Sequence, residues 1–261
     1  MRSARLFILL ALILSGCDDV FKITPYDTDT SVAHSALNER NIAEWRNAAA
    51  TDTGAITIAL ISDPHYHYSD LADLVDRINS DPTVDVVIVP GDLTDQGLLQ
   101  EFEWFAENMM ELNAPWIATI GNHDHLGTGK IVYENMFGPR NFFVDLKGFR
   151  FIFLDNTVWE SEFPIDMTGL TQRLATSADL TPVVIAHIPL ENDQLAAGEG
   201  AQIRQVLHEH HVPLFIHGHL HAFVDNTDAN GMRRVGIPWV EDREYVRITL
   251  ADEITVERIG L

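Results

Sequence analysis

Ile120-Gly121-Asn122-His123-Asp124-His125 is the stretch on which the reading of this chain turns. It follows an apolar, strand-like run over residues 114–119 and sets an amide, an imidazole and a carboxylate at successive positions. An amide oxygen can ligate a metal, an adjacent imidazole can meet a phosphate, and the next carboxylate can hold that imidazole in one tautomer. A polar turn after a strand draws on the same residue types. The other strand ends must decide between the two.

Upstream, residues 55–62 read as a buried strand ending at Asp63-Pro64-His65. Residues 84–89 read as a second, ending at Pro90-Gly91-Asp92-Leu93-Thr94-Asp95. Helices are expected over 69–79, with Leu71, Leu74, Val75 and Ile78 at helical spacing, and over 98–112, with Phe102, Phe105, Met109 and Leu112 inward. Downstream, a short helix is expected over 131–137 and a hairpin around Lys147-Gly148. A helix over 168–177 leads to a strand over 182–186 that ends at His187. A helix over 199–211 leads to a strand over 212–216 that ends at His217-Gly218-His219-Leu220-His221. Hairpins around Asn230-Gly231 and Asp252-Glu253 finish the chain.

This order, β-α-β-α-β first and antiparallel strands later, predicts an α/β fold of mixed type: two mixed β-sheets packed as a sandwich and flanked by helices. Every polar cluster falls at the carboxyl end of a strand, the edge where open α/β sheets bind ligands. Five strand ends carry Asp63-x-His65, Gly91-Asp92-x-x-Asp95, Gly121-Asn122-His123-Asp124, His187 and Gly218-His219-x-His221. Taken singly, His187 reads as a satisfied core histidine and Asp95 as a helix cap. Taken together, five strand exits ending in metal-ligand residue types point to one site.

The order and spacing of these blocks resemble the calcineurin-like metallophosphoesterase superfamily over residues 55–225. The resemblance implies two divalent metal ions (Mn, Fe, Zn or similar) at the strand ends. Asp63, His65 and His221 would bind the first, and Asn122, His187 and His219 the second, with Asp92 bridging. Two such cations repel, so bridging anions are needed; a bridging water would have its pKa brought towards neutrality and attack phosphorus in line. His123 would be catalytic, facing the substrate, with Asp124, or in some relatives the backbone or another acid, orienting it; Asp95 would orient a ligand histidine or brace its loop. The expected substrate is a small phosphorylated molecule, either a phosphomonoester or a phosphodiester. The Gly-Asn-His-Asp form is similar to class III cyclic nucleotide phosphodiesterases. A non-catalytic metal-binding scaffold is the alternative outside enzymes, and the filled ligand set speaks against it.

Three departures stand out. Ala186 precedes His187 where many relatives have a second histidine, and His67 and His125 follow the first and third blocks. Either histidine lines the substrate pocket or sits as an exposed polar residue. His217 has no ligand role in the family pattern. His208, His210 and His211 read as a solvated helix end, and Trp159 as an aromatic wall or a packing residue.

The remainder of the chain places this domain. At 261 residues, 46% apolar and 21% charged, the sequence suits a globular protein with a full core. A formal charge of −22 argues against nucleic acid as a partner. Arg2 and Arg5 precede an apolar run over 6–14, and Leu14-Ser15-Gly16-Cys17 then resembles a bacterial lipobox. Residues 1–16 are expected to be a lipoprotein signal peptide, residues 17–53 a tether anchored to the membrane by lipid on Cys17, and 54–261 the phosphoesterase domain. Asp18 after the cysteine resembles an inner-membrane retention signal, which implies the periplasmic face. Within the tether a short helix over 35–50 is expected, docked on the domain or standing off as a spacer. Cys17 is the single cysteine, so metal ligands must come from nitrogen and oxygen.

Overall fold

The structure, a computed structural model, describes residues 24–51, 54–161, 163–177 and 179–260. The expected signal peptide, Cys17 and Asp18 lie outside the described residues. No helix among the described residues is long and apolar enough to cross a membrane.

Among the described residues, eleven strands form two mixed sheets. The first has the order β11 (Ile254–Gly260), β10 (Glu244–Leu250), β1 (Ile56–Leu60), β2 (Val86–Val89), β3 (Trp116–Ala118). The second has the order β4 (Phe142–Leu146), β5 (Phe149–Leu154), β6 (Thr181–Ala186), β7 (Leu214–His217), β9 (Arg233–Gly236), β8 (Val224–Thr227). Strands β1, β2 and β3 are parallel in one sheet, and β5, β6, β7 and β9 in the other. The three expected hairpins are β4–β5, β8–β9 and β10–β11, all antiparallel.

Burial on both faces explains why the parallel strands read as unbroken apolar runs. Alternate residues enter different layers. Ile58, Leu60, Val86, Ile88 and Ile117 face Phe151, Phe153, Val183, Ile185, Leu214 and Ile216 between the sheets. The outer face of the first sheet is covered by α2 (Tyr68–Asn79), α3 (Leu99–Met109) and α4 (Gly129–Phe137), through Leu74, Val75, Phe102, Phe105, Met109 and Phe137. The outer face of the second is covered by α5 (Met167–Ala175) and α6 (Glu199–Glu209), through Leu170, Leu174, Ile203 and Leu207.

Of the two alternatives for the N-terminal helix, it docks. Helix α1 (Leu37–Ala49) inserts Trp45 into the core between the sheets, with its ring 5.1 Å from Phe151. The Asn38 amide meets Ala118 with both ends: its nitrogen donates to the carbonyl oxygen at 2.9 Å and its oxygen accepts from the backbone nitrogen at 3.0 Å. Asn41 Oδ1 accepts from the Trp116 nitrogen at 2.9 Å.

The histidines expected to form a solvated face at the end of α6 divide. His208 Nε2 lies 2.7 Å from Asp228 Oδ2 and so ties the helix to the β8–β9 hairpin. The carboxylate attracts it from a loop 20 residues away, which helical spacing alone does not reveal.

Candidate metal centre

Parallel strands deliver their carboxyl ends to one edge, and there the five blocks meet. Asp63 and His65 follow β1, Asp92 follows β2, Asn122 and His123 follow β3, His187 follows β6, and His219 and His221 follow β7. Asp63, Asp92, His219 and His221 all adopt positive φ, between 51° and 69°. A left-handed backbone is unfavourable for a side chain with a Cβ and persists only where its surroundings hold it. Around these residues the loops interlock: Asp63 donates its backbone N–H to the Gly91 carbonyl, and Gly218 donates to that of His187.

Three groups of donors result among the described residues. Asp63, His65 and His221 form one, Asp92, His187 and His219 the second, and His65 with Asp95 and His123 a third, with the donor atoms of each within 4.8 Å of one another. In the first, His221 Nε2 is 3.3 Å from Asp63 Oδ1. His65 is 4% exposed, and neither of its ring nitrogens has a hydrogen-bond partner. Leaving such buried atoms unpaired costs on the order of 1–3 kcal/mol each. In the second, Asn122 Oδ1 lies 3.1 Å from both His187 Nε2 and His219 Nδ1, and Asp92 Oδ2 lies 3.2 Å from His187 Nε2.

This donor set fits divalent cations. His187 Nδ1 sits 2.7 Å from the Pro90 carbonyl oxygen. That oxygen can only accept, so Nδ1 carries the proton and Nε2 faces the Asp92 and Asn122 oxygens. A positive charge among these atoms resolves the convergence of acceptors. With no cation present, burial opposes charge on His187 but the Asp92 carboxylate outweighs it and raises the pKa, so a metal at Nε2 would take the place of a proton. Burial likewise resists charge on Asp92, which His187 overcomes, holding it well below the usual carboxylate range. Burial lowers His65, and burial followed by the charge of His187 lowers His219 to about 4. Both rings are therefore neutral at pH 7, the form that ligates a metal.

Of the alternatives for orienting His123, the backbone does so. Its Nδ1 lies 2.8 Å from the Asp95 carbonyl oxygen and 3.7 Å from the Asp95 carboxylate. Its backbone N–H donates to Asp92 Oδ1 at 2.9 Å. Asp124, expected to orient His123, is fully buried and instead joins two loops. It accepts from the backbone N–H groups of Leu93, Thr94 and Gly121 and from the Thr94 hydroxyl, at 2.8–3.1 Å. Burial, with the Asp92 carboxylate next in effect, pushes it up to about 7 against these donors.

The ambiguous residues resolve too. His125 neither faces solvent nor lines a substrate pocket: its side chain is buried, with Nε2 3.3 Å from Asp155 Oδ2. Asp155 also pairs with Arg140. His217 is buried, with Nδ1 2.9 Å from the Gly218 carbonyl oxygen, and burial lowers its pKa. Trp159 is 61% exposed, so it packs in no core. His67 lies against Trp239, a residue the sequence reading did not single out. A lone tryptophan after Ile237-Pro238 follows no ligand spacing, and only its place in the fold reveals it.

The family model for the calcineurin-like phosphoesterase domain matches residues 56–223. The chain belongs to this family, and it is a metal-dependent phosphoesterase. No curated protein matches it by sequence. Among solved structures it is similar to a dimetal phosphatase from Danio rerio, with a TM-score of 0.66, 14% identity, and 78% of this chain and 96% of that one covered. It is also similar to GAP50, the anchor in the inner membrane complex of Plasmodium, with a TM-score of 0.63, 13% identity, and coverage of 79% and 85%. Purple acid phosphatase PPD1 from yellow lupin seeds gives a TM-score of 0.62 at 13% identity, covering 79% of this chain and 52% of that one. At these identities the likeness is one of fold. A fold shared by phosphatases and an anchor leaves function to be argued from the site.

Proposed function

We propose that the chain hydrolyses phosphomonoesters or phosphodiesters by in-line attack of water on phosphorus at a pair of divalent cations. The observation that carries this reading is the meeting of two donor groups at one edge, with Asp92 and Asn122 among them and His123 beside them. Asp63, His65 and His221 would hold the first cation, Asn122, His187 and His219 the second, and Asp92 would serve both. Such a pair lowers the pKa of water and neutralises charge on the phosphoryl oxygens. The chain's own residues do the rest. His187 keeps Nε2 directed at the site by donating Nδ1–H to Pro90. The Asp95 carbonyl fixes the His123 tautomer with the proton on Nδ1, so Nε2 is the atom that meets the phosphate or the leaving oxygen. Asp124 keeps the loops carrying Asp92 and Asn122 in register.

Hydrolysis of generic phosphomonoesters and phosphodiesters by the purified protein with Mn²⁺ tests the reading. No turnover on either class with metal bound would overturn it. A second reading, cyclic nucleotide phosphodiesterase, is favoured by Gly121-Asn122-His123-Asp124. Preference for 3′,5′-cyclic nucleotides over generic diesters distinguishes it.

The same reading extends to location. Residues 1–16 form a lipoprotein signal, Cys17 is lipidated, residues 17–53 lead to the domain, and Asp18 keeps the protein at the periplasmic face of the inner membrane. Metabolic labelling with a fatty acid should mark the protein and be lost in Cys17→Ser; equal labelling of the variant would refute the anchor.

A further inference from the structure

His67 and Trp239 are left without a part in the chemistry above, and they touch each other. The Trp239 indole lies on the ring of His221, with centroids 4.5 Å apart and planes 16° from parallel. The His67 ring meets the same indole at 5.0 Å and 66°. Trp239 is itself tied down. It pairs with Ser62, the residue before Asp63, in an isolated bridge, and the next residue, Val240, donates its N–H to the Ser62 carbonyl at 3.1 Å. The indole nitrogen is 3.3 Å from Asp242 Oδ1. His67 Nδ1 lies 3.5 Å from Asp70 Oδ2 on α2. Arg243 reaches Asp70 and Asp73 on that helix.

His221 needs such support. Its side chain is a third exposed and its backbone is left-handed, with φ 51°. A non-glycine residue in that conformation persists only where its surroundings over-determine it. Its polar contact, Nε2 with Asp63 Oδ1, joins donor atoms of the group that would hold the first cation. That contact cannot both hold the ring and give its atoms to a metal. A stacked indole grips the face of the ring and leaves the nitrogens free.

We infer that Trp239, backed by His67, is a positioning residue that sets the affinity of the Asp63–His65–His221 group for its cation. The inference rests on the two-cation reading above. Trp239 lies beyond residues 56–223, so the brace comes from outside the matched domain segment. The indole face that stacks on His221 is closed to a substrate ring.

The test uses the full chain and its Trp239→Ala and Trp239→Phe variants, with two readouts. The first is titration with Mn²⁺, following free ion by electron paramagnetic resonance. The wild type is expected to bind two ions. Trp239→Ala should weaken one of them about ten-fold or more and leave the other unchanged, and Trp239→Phe should recover most of the loss. The second readout needs no metal: the ring signals of isotopically labelled His221 should be those of one fixed rotamer in the wild type and Trp239→Phe, and averaged in Trp239→Ala. Trp239→Ala with wild-type affinity at both sites and a fixed His221 ring overturns the inference. Equal weakening of both ions also overturns it, since a brace on His221 acts on one group. Failure of the wild type to take up Mn²⁺ would overturn the two-cation reading itself, and the metal half of this inference with it. The ring signals of His221 would still report whether Trp239 holds it.

Discussion

His123 Nδ1 lies 2.8 Å from the backbone carbonyl oxygen of Asp95, a residue 28 positions earlier on a different loop. The bond crosses from the exit of β3 to the exit of β2 and places the ring proton on Nδ1. His123→Ala should keep its metals while turnover falls about a hundred-fold or more, the size typical of acid–base residues. Asp95→Ala removes the carboxylate but keeps the carbonyl, so its loss should be smaller, about ten-fold. Steady-state kinetics with metal analysis of each variant checks this. Wild-type turnover in His123→Ala would remove that ring from the mechanism.

Gly121 is required for close approach rather than for an unusual backbone angle. A Cβ there would lie 2.2 Å from the Asp92 backbone nitrogen and 2.3 Å from Asp92 Oδ1. Backbone cannot move aside as a flexible side chain would. Gly121→Ala should therefore lose about 2–3 kcal/mol of stability and much of its metal binding. Urea denaturation and metal stoichiometry read the two effects, and a variant normal in both would show that the loops part freely.

Asp81 supplies a pH dependence far from the metal centre. Burial alone would raise its pKa, but hydrogen bonds from Thr83, Tyr245 and Arg247 outweigh burial and lower it from 3.8 to about 2. A carboxyl depressed on folding stabilises the protein above its unfolded pKa and loses that contribution as pH falls through the folded one. Asp81→Asn should cost about 1 kcal/mol at pH 7, and the gap to wild type should close near pH 2. Chemical denaturation at both values tests the sign. A gap that widens in acid would contradict it.

Trp45 measures how far α1 belongs to the fold. It is 1% exposed and shares the core between the sheets with Phe151 and Val144. Trp45→Ala should cost about 3–5 kcal/mol, seen as a lower denaturation midpoint. An unchanged midpoint would mean that the helix contributes nothing to stability.

Much of the architecture and of the site geometry could be read from the sequence because the information is local. Each parallel strand is a short apolar run, and each donor block follows one directly. The reading failed where a partner lies far along the chain. His125 looks like a polar loop residue until Asp155 arrives from the end of β5. Asp124 sits next to His123 in sequence, which suggested that it orients the ring, yet its oxygens are taken by Leu93, Thr94 and Gly121. Adjacent side chains on a 3₁₀ turn point apart, so neighbours in sequence need not touch. Helix α1 carries too few apolar residues to announce whether it docks. Nothing in the spacing marks Asn38 and Asn41, yet both hold the backbone of β3.

Those two asparagines have a further consequence. β3 ends its sheet, and a terminal strand with open N–H and C=O groups invites pairing with another molecule. Asn38 occupies both groups of Ala118, and Asn41 takes the N–H of Trp116. The helix thus fills the edge along which another strand would pair. A protein trimmed to begin at residue 54, however complete its catalytic loops, would expose that strand and be prone to aggregate through it.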